Sequence, residues 1–149
     1  MSEHINTHVN THVPGETLHR LIHAYKRAMR EGLAAADMPL PVSHMRTLKW
    51  IAKTPGVTAQ YIAAATGQDK GRITRLIKEL EDKNLIERRP HPEDRRSQTL
   101  HLTREGDALV DNFKNVETKV RTRMAGNLSQ SQIQDFNRVA SLMADNLES

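Results

Sequence analysis

Cysteine is absent, so the chain can form no disulfide, no thiolate zinc site and no thiol redox switch. Aromatic residues are scarce: one Trp, two Tyr and two Phe. That scarcity argues against an aromatic platform for stacking single-stranded bases, and directs any nucleic-acid role toward duplexes. No apolar run reaches membrane-spanning length and no signal-peptide pattern is present, so the sequence predicts a cytoplasmic protein without a membrane partner. No block of one charge sign exists either. The 22 Lys and Arg face 18 Asp and Glu, a net charge of +4, so an electrostatic argument must rest on placement. A nucleophile elbow, a phosphate loop and a compact metal-ligand cluster are all missing, which argues against an enzyme and predicts no cofactor.

What is present suits one soluble globular domain: 149 residues, with 37% hydrophobic and 27% charged. Its organising stretch is Asp69 to Ser97. A helix is expected from about Asp69 to Lys83, because Ile73, Leu76, Ile77 and Leu80 recur at i, i+3, i+4 and i+7. The opposite face carries Gly71, Arg75 and Lys78, flanked by Arg72 and Thr74. Lys70, Arg72 and Arg75 lie in the first turns, and Glu79, Glu81 and Asp82 in the last. The helix macrodipole prefers the reverse order, by ~0.3–1 kcal/mol per well-placed charge. A cationic helix start aimed at phosphates and base edges would explain the order; Arg75 and Arg72 would read bases, and Lys70 and Lys78 would touch phosphate. A solvated face with Arg75–Glu79 and Lys78–Asp82 pairs would explain it equally well.

The flanking chain narrows the choice. Residues 1–15 hold the repeat Asn6-Thr7-His8-Val9 and Asn10-Thr11-His12-Val13, and read as a flexible N-terminal tail. Residues 16–37 predict a helix with Leu18, Leu21, Ile22, Tyr25, Met29 and Leu33 on one side. After the Pro39 and Pro41 break, Ser43 is expected to cap a helix from about His44 to Lys53, with Met45, Leu48, Ile51 and Ala52 inward. Thr58 caps Ala59 to Thr66, whose packing side is expected to be Tyr61, Ile62 and Ala65, and Gly67 allows a tight turn. Two helices so joined make a helix-turn-helix. Asn84 supplies the left-handed residue of a helix stop.

Ile86 to Pro90 and Gln98 to Leu102 read as strands around a polar tip that contains Arg95 and Arg96. If the tip is extended, these two arginines point to opposite sides, and Asp94 lies on the side of Arg96. A helix-turn-helix followed by a hairpin is a winged helix, and a wing arginine suits a narrow minor groove. Thr103 caps a helix running to about Met124, and Ser129 with Gln132 forms a capping box for a last helix striped by Ile133, Phe136, Ala140, Met143 and Leu147. Such long striped helices at both termini exceed what the small winged module needs, and predict a dimer interface. The fold class is therefore mainly α: a winged helix-turn-helix with flanking N- and C-terminal dimerisation helices.

These residues resemble the MarR family of winged-helix transcription regulators over about residues 16–147. The resemblance is carried by Ile73-Thr74-Arg75-Leu76-Ile77, Leu80-Glu81-Asp82-Lys83-Asn84-Leu85-Ile86, Arg88-Arg89-Pro90 and, above all, Asp94-Arg95-Arg96 followed by Leu100-His101-Leu102-Thr103-Arg104-Glu105-Gly106. It implies one MarR-like domain over 16–149, with dimerisation helices at 16–37 and 107–149 and the DNA-binding part at 42–106. It implies a homodimer on a pseudo-palindromic double-stranded operator, contacted through Lys70, Arg72, Thr74, Arg75, Lys78, Asp94, Arg95 and Arg96. Arg96 matches the arginine that enters the minor groove, and Asp94 the acid that orients the wing by pairing with a basic residue. The resemblance also implies relief by a small aromatic or phenolic acid. His44, Arg46 and Trp50 lie near the family's usual pocket, although Trp50 also reads as core and Arg46 as a phosphate contact.

Two positions depart from the family pattern. Asn84 replaces the usual Gly. Gly71 stands where a small polar residue is common, either as a neutral change costing ~1 kcal/mol of helix stability or as a close approach to DNA. A second function class is a zinc-responsive sensor, since His19 and His23 are four apart on one helix and folding could bring His44 and His101 near.

Overall fold

The computed structural model describes residues 2–149, with side chains from Gly15 onward. Six helices and one hairpin follow in order: α1 (Ser2–Ala35), α2 (Val42–Lys53), α3 (Ala59–Thr66), α4 (Lys70–Asp82), β1 (Ile86–Pro90), β2 (Gln98–Leu102), α5 (Arg104–Ala125) and α6 (Gln130–Glu148). The tail expected over 1–15 overlaps α1 from Ser2 onward, and the side chains of residues 1–14 lie outside the described ones. Among the described residues no helix is long and apolar enough to cross a membrane.

The helix-turn-helix forms where the periodicity puts it. Thr58 accepts the Tyr61 N–H at 3.1 Å and starts α3. Gly67, at φ +65°, turns the chain left-handed toward α4. Asp69 is not the first residue of α4 but its cap: its carboxylate accepts the Arg72 N–H at 3.1 Å. This acid answers the dipole at an end otherwise crowded with cations. A Cβ on Gly71 would sit 3.1 Å from that carboxylate, so the glycine leaves room for the cap. Asn84 ends the helix at φ +59°, as its position requires.

Several local expectations need correction. Helix α1 ends at Ala35, two residues early, because Asp37 turns left-handed at φ +53° and the Met38 N–H closes back on the Leu33 carbonyl. Helix α2 starts at Val42 with Pro41 at its cap position, and Ser43 lies inside the first turn instead of capping it. On α3, Tyr61 and Ala65 are exposed, and the buried pair is Ile62 and Ala63. Ala52 is exposed as well. On α2 the expected Met45, Leu48 and Ile51 are buried, whereas the face of α3 is offset, since an eight-residue helix carries too few apolar residues to define one.

One continuous core joins the elements. Met29 and Leu33 of α1, Met45 and Leu48 of α2, Ile62 of α3, Ile73, Ile77 and Leu80 of α4, Leu100 of β2 and Phe113 of α5 are all buried in it. Fully burying one such side chain contributes roughly 1.5–3 kcal/mol. The hairpin is antiparallel, with Ile86 opposite Leu102 and Pro90 opposite Gln98. On its other edge Leu100 donates its N–H to the Val57 carbonyl at 2.9 Å, which ties the loop before α3 to the sheet.

The junction between wing and α5 explains the segment Leu102-Thr103-Arg104-Glu105-Gly106. Thr103 donates its hydroxyl to the Asn84 carbonyl at 2.7 Å and accepts the Gly106 N–H at 3.1 Å, while its own N–H goes to the Leu85 carbonyl at 3.0 Å. A Cβ on Gly106 would lie 2.1 Å from that same Leu85 oxygen. Only glycine lets α5 start this close to the turn that ends α4.

Candidate nucleic-acid interface

Burial splits α4 cleanly. Ile73, Leu76, Ile77 and Leu80 are buried, whereas Lys70, Arg72, Thr74, Arg75 and Lys78 are exposed. Thr74 donates its hydroxyl to the Lys70 carbonyl at 2.9 Å, a bond local to the helix. Lys78 meets Asp82 at 3.7 Å, as the i, i+4 spacing allows. The expected Arg75–Glu79 pair is replaced by another. Glu79 reaches across to His44 of α2, Oε2 to Nε2 at 2.5 Å, and Arg75 keeps an exposed side chain with no acidic partner among the described residues.

The wing is set against α4 by a second pair. Arg88 of β1 donates from Nε to Glu81 at 2.9 Å, and from a terminal nitrogen to Gln98 at 3.4 Å. Asp94 makes no ion pair with Arg96, Arg88 or any other base among the described residues. Its carboxylate instead accepts the Arg96 N–H at 3.0 Å and the Ser97 hydroxyl at 3.1 Å. It orients the wing through the backbone. Residues 95 and 96 form a turn, so strand alternation does not set the directions of Arg95 and Arg96. Both arginines and Asp94 are exposed.

The residues expected to hold a small ligand are not gathered. His44 is engaged by Ser43 at 3.3 Å and by Glu79, Arg46 is exposed, and Trp50 packs against the core with Lys53 3.9 Å over its ring and Tyr61 edge-on at 6.4 Å. A hollow of about 500 Å³ opens elsewhere, between the end of α2, β2 and the start of α5. Ile51, Leu100 and Leu102 form its apolar wall, and His101, Arg104 and Asp107 its polar rim. His19 and His23 gain no third ligand: no group of three or more potential metal ligands occurs among the described residues. His101 binds the Thr99 hydroxyl at 2.7 Å rather than approaching His44.

Away from the winged module, two apolar faces are open. On α1, Leu18, Ile22 and Tyr25 are exposed, and on α6 Phe136, Val139, Leu142, Met143 and Leu147 are exposed while none of its residues is buried.

A family model described as MarR family matches residues 37–97. Among solved structures, the chain is similar to a mutant MarR from E. coli complexed with operator DNA, at 20% identity over 91% of this chain and 96% of that one, with a TM-score of 0.80. It is similar to the S. aureus MepR–DNA complex at 21% identity, 89% and 97% coverage and a TM-score of 0.79. A MarR family transcriptional regulator from Rhodococcus sp. RHA1 matches at 24% identity, 87% and 91% coverage and a TM-score of 0.75.

Proposed function

Residues 37–97 match the MarR family model and the chain shares the fold of solved MarR structures, and on this premise we propose that the protein is a sequence-specific double-stranded DNA-binding transcription regulator of that family that acts as a homodimer. The observation that carries the reading is the exposed cationic start of α4. Lys70, Arg72, Arg75 and Lys78 all face solvent, with Glu79 drawn away from Arg75 by His44. In a helix-turn-helix this end of the second helix enters the major groove. Arg75 and Arg72 are placed to contact base edges, where a bidentate arginine recognises guanine, and Lys70 and Lys78 to contact phosphate. Arg96 supplies the minor-groove contact at the wing. The E. coli MarR and S. aureus MepR structures are complexes with operator DNA and with DNA, which supports the same partner here.

The dimer is supported by the open faces of α1 and α6. An exposed apolar stripe along two long terminal helices is stabilised when a second copy covers it. Two recognition helices about one DNA turn apart, ~34–36 Å, then fit a pseudo-palindromic operator. The effector is a small aromatic or phenolic acid, and the hollow beside Arg104 offers the apolar wall and the cation such a ligand needs.

The test is selection of duplexes from a random pool by the purified full chain, with light scattering alongside. Enrichment of an inverted repeat bound by a dimer is the expected result. Binding with no sequence preference, or tight binding by a monomer, would sink the proposal.

A further inference from the structure

His91 stands at the end of β1, half-buried, where the chain enters the wing tip. Its Nδ1 lies 3.1 Å from the Glu93 backbone nitrogen and 3.2 Å from that of Asp94. Backbone N–H groups only donate, so Nδ1 must be the acceptor and the ring proton must sit on Nε2. The His91 N–H closes the tip by donating to the Ser97 carbonyl at 3.2 Å, and the Ser97 N–H donates to the Asp94 carbonyl at 3.1 Å. Asp94, held in this way, accepts the Arg96 N–H and the Ser97 hydroxyl. A chain of side-chain caps thus runs from His91 to Asp94 to the backbone of Arg96.

We infer that His91 is a positioning residue for the wing arginines, and that it holds the tip only as the neutral Nε2–H tautomer. This rests on the DNA-binding reading above. Protonation places a hydrogen on Nδ1, and an imidazolium has no acceptor left for the two amides. The ordered tip and the protonated ring exclude each other. The cap is therefore present with the neutral ring and absent with the charged one. The charged residues beside His91 in the chain are Glu93, Asp94, Arg95 and Arg96 of the tip and Arg89 of β1, whose guanidinium is already bonded to Glu87. No ion pair reaches His91 from another element among the described residues.

The sign of the effect on DNA binding separates this role from simple electrostatics. A protonated His91 adds a positive charge beside a polyanion, which alone would tighten binding at low pH. Loss of the cap loosens the arginines and weakens it. The experiment has two arms on the full chain. In the first, DNA-free, imidazole ¹⁵N spectra identify the His91 tautomer while the Glu93 and Asp94 amides are followed between pH 8 and pH 6. The expected result is an Nε2–H ring whose protonation moves both amides out of their hydrogen-bonded positions. An Nδ1–H ring, or amides that ignore its titration, overturns the inference.

In the second arm, affinity for a duplex selected by the wild-type chain is compared at pH 8 and pH 6 for wild type, His91→Asn and His91→Ala. An Asn side-chain oxygen accepts the same pair of amides without titrating, as in an Asx turn. Wild type should lose about three- to tenfold relative to H91N on acidification, the effect of about one hydrogen bond, and H91A should be weaker than H91N at pH 8 by a similar factor. Equal pH dependence of wild type and H91N overturns the role of His91. If wild type binds no duplex at either pH, the DNA reading fails and takes this role with it, while the first arm still decides whether His91 caps the turn.

Discussion

The imidazole Nε2 of His44 and the carboxylate Oε2 of Glu79 lie 2.5 Å apart, joining α2 to the middle of α4 across 35 residues of sequence. The contact fixes how α4 sits on α2 and removes Glu79 as a partner for Arg75. His44→Ala should therefore act twice. The loss of this exposed hydrogen bond should lower stability by ~0.5 kcal/mol in chemical denaturation. Freed Glu79 should pair with Arg75 at i, i+4 and weaken binding to a selected duplex. Glu79→Gln in the H44A background should restore part of that binding. No restoration would mean that Glu79 does not compete for Arg75.

Arg75 and Lys78 are adjacent on the exposed face of α4 and should fail differently. Arg75→Ala should cost ~1–3 kcal/mol and relax preference at particular base pairs. Lys78→Ala should weaken all sequences alike and reduce the slope of log affinity against log salt by about one unit. Titrations on point-mutated duplexes at several salt concentrations separate the two. An Arg75→Ala protein with unchanged base preference would remove Arg75 from the reading surface.

Arg95 and Arg96 offer a parallel contrast at the wing, where the Asp94 carboxylate fixes the Arg96 amide. Arg96→Ala should lose most affinity on operators with A·T-rich flanks, since narrow minor grooves concentrate negative potential. Arg95→Ala should behave as the loss of one positive charge on any flank. Matched duplexes with A·T-rich and G·C-rich flanks are the assay, and equal losses for both variants on both duplexes would reduce the wing to an electrostatic anchor.

Gly106 has no room for a side chain, because a Cβ would lie 2.1 Å from the Leu85 carbonyl oxygen, a backbone atom. Gly106→Ala must push α5 away from the end of α4 and break the Thr103 bonds to Asn84 and Leu85. Its cost should reach about 3 kcal/mol, the upper part of the overpacking range. Denaturant unfolding would measure it, and a loss below about 1 kcal/mol would mean that the junction yields freely.

Phe136 and Leu142 are each 53% exposed on α6 in the single chain. Leu142→Glu should leave helix content and the winged-helix core intact, because neither residue belongs to that core. It should convert the dimer into monomer in light scattering and abolish tight binding to an inverted repeat. A Leu142→Glu chain that remains dimeric would place the interface on another face.

Local chemistry carried most of the fold, and for that reason the sequence alone was sufficient for it. The caps Thr58, Thr103 and Ser129, the left-handed Asn84, both strands and the buried stripe of α4 depend on residues within one or two turns of each other. The Asp69 cap was equally legible: an acid stands just before the helix, three residues from the amide it binds. Rotation of α3 was not, since Ile62 can share a buried face with Tyr61 and Ala65 or with Ala63 until neighbours choose one.

The cationic face of α4 and the two wing arginines were visible as residue types at fixed spacings. What each acid does at the site was not. Glu79 could pair with Arg75 four residues away or with His44 thirty-five residues away, and sequence spacing favours the nearer. Asp94 could hold an arginine side chain or the turn's own Arg96 amide and Ser97 hydroxyl, and only the shape of the tip selects the latter pair. The sequence determined which segments become helices and strands and which face of a long striped helix such as α4 is apolar, because those depend on local energies. The tertiary structure decided the partner of each polar side chain and the need for glycine at 106, because these depend on distances between segments that no periodicity encodes.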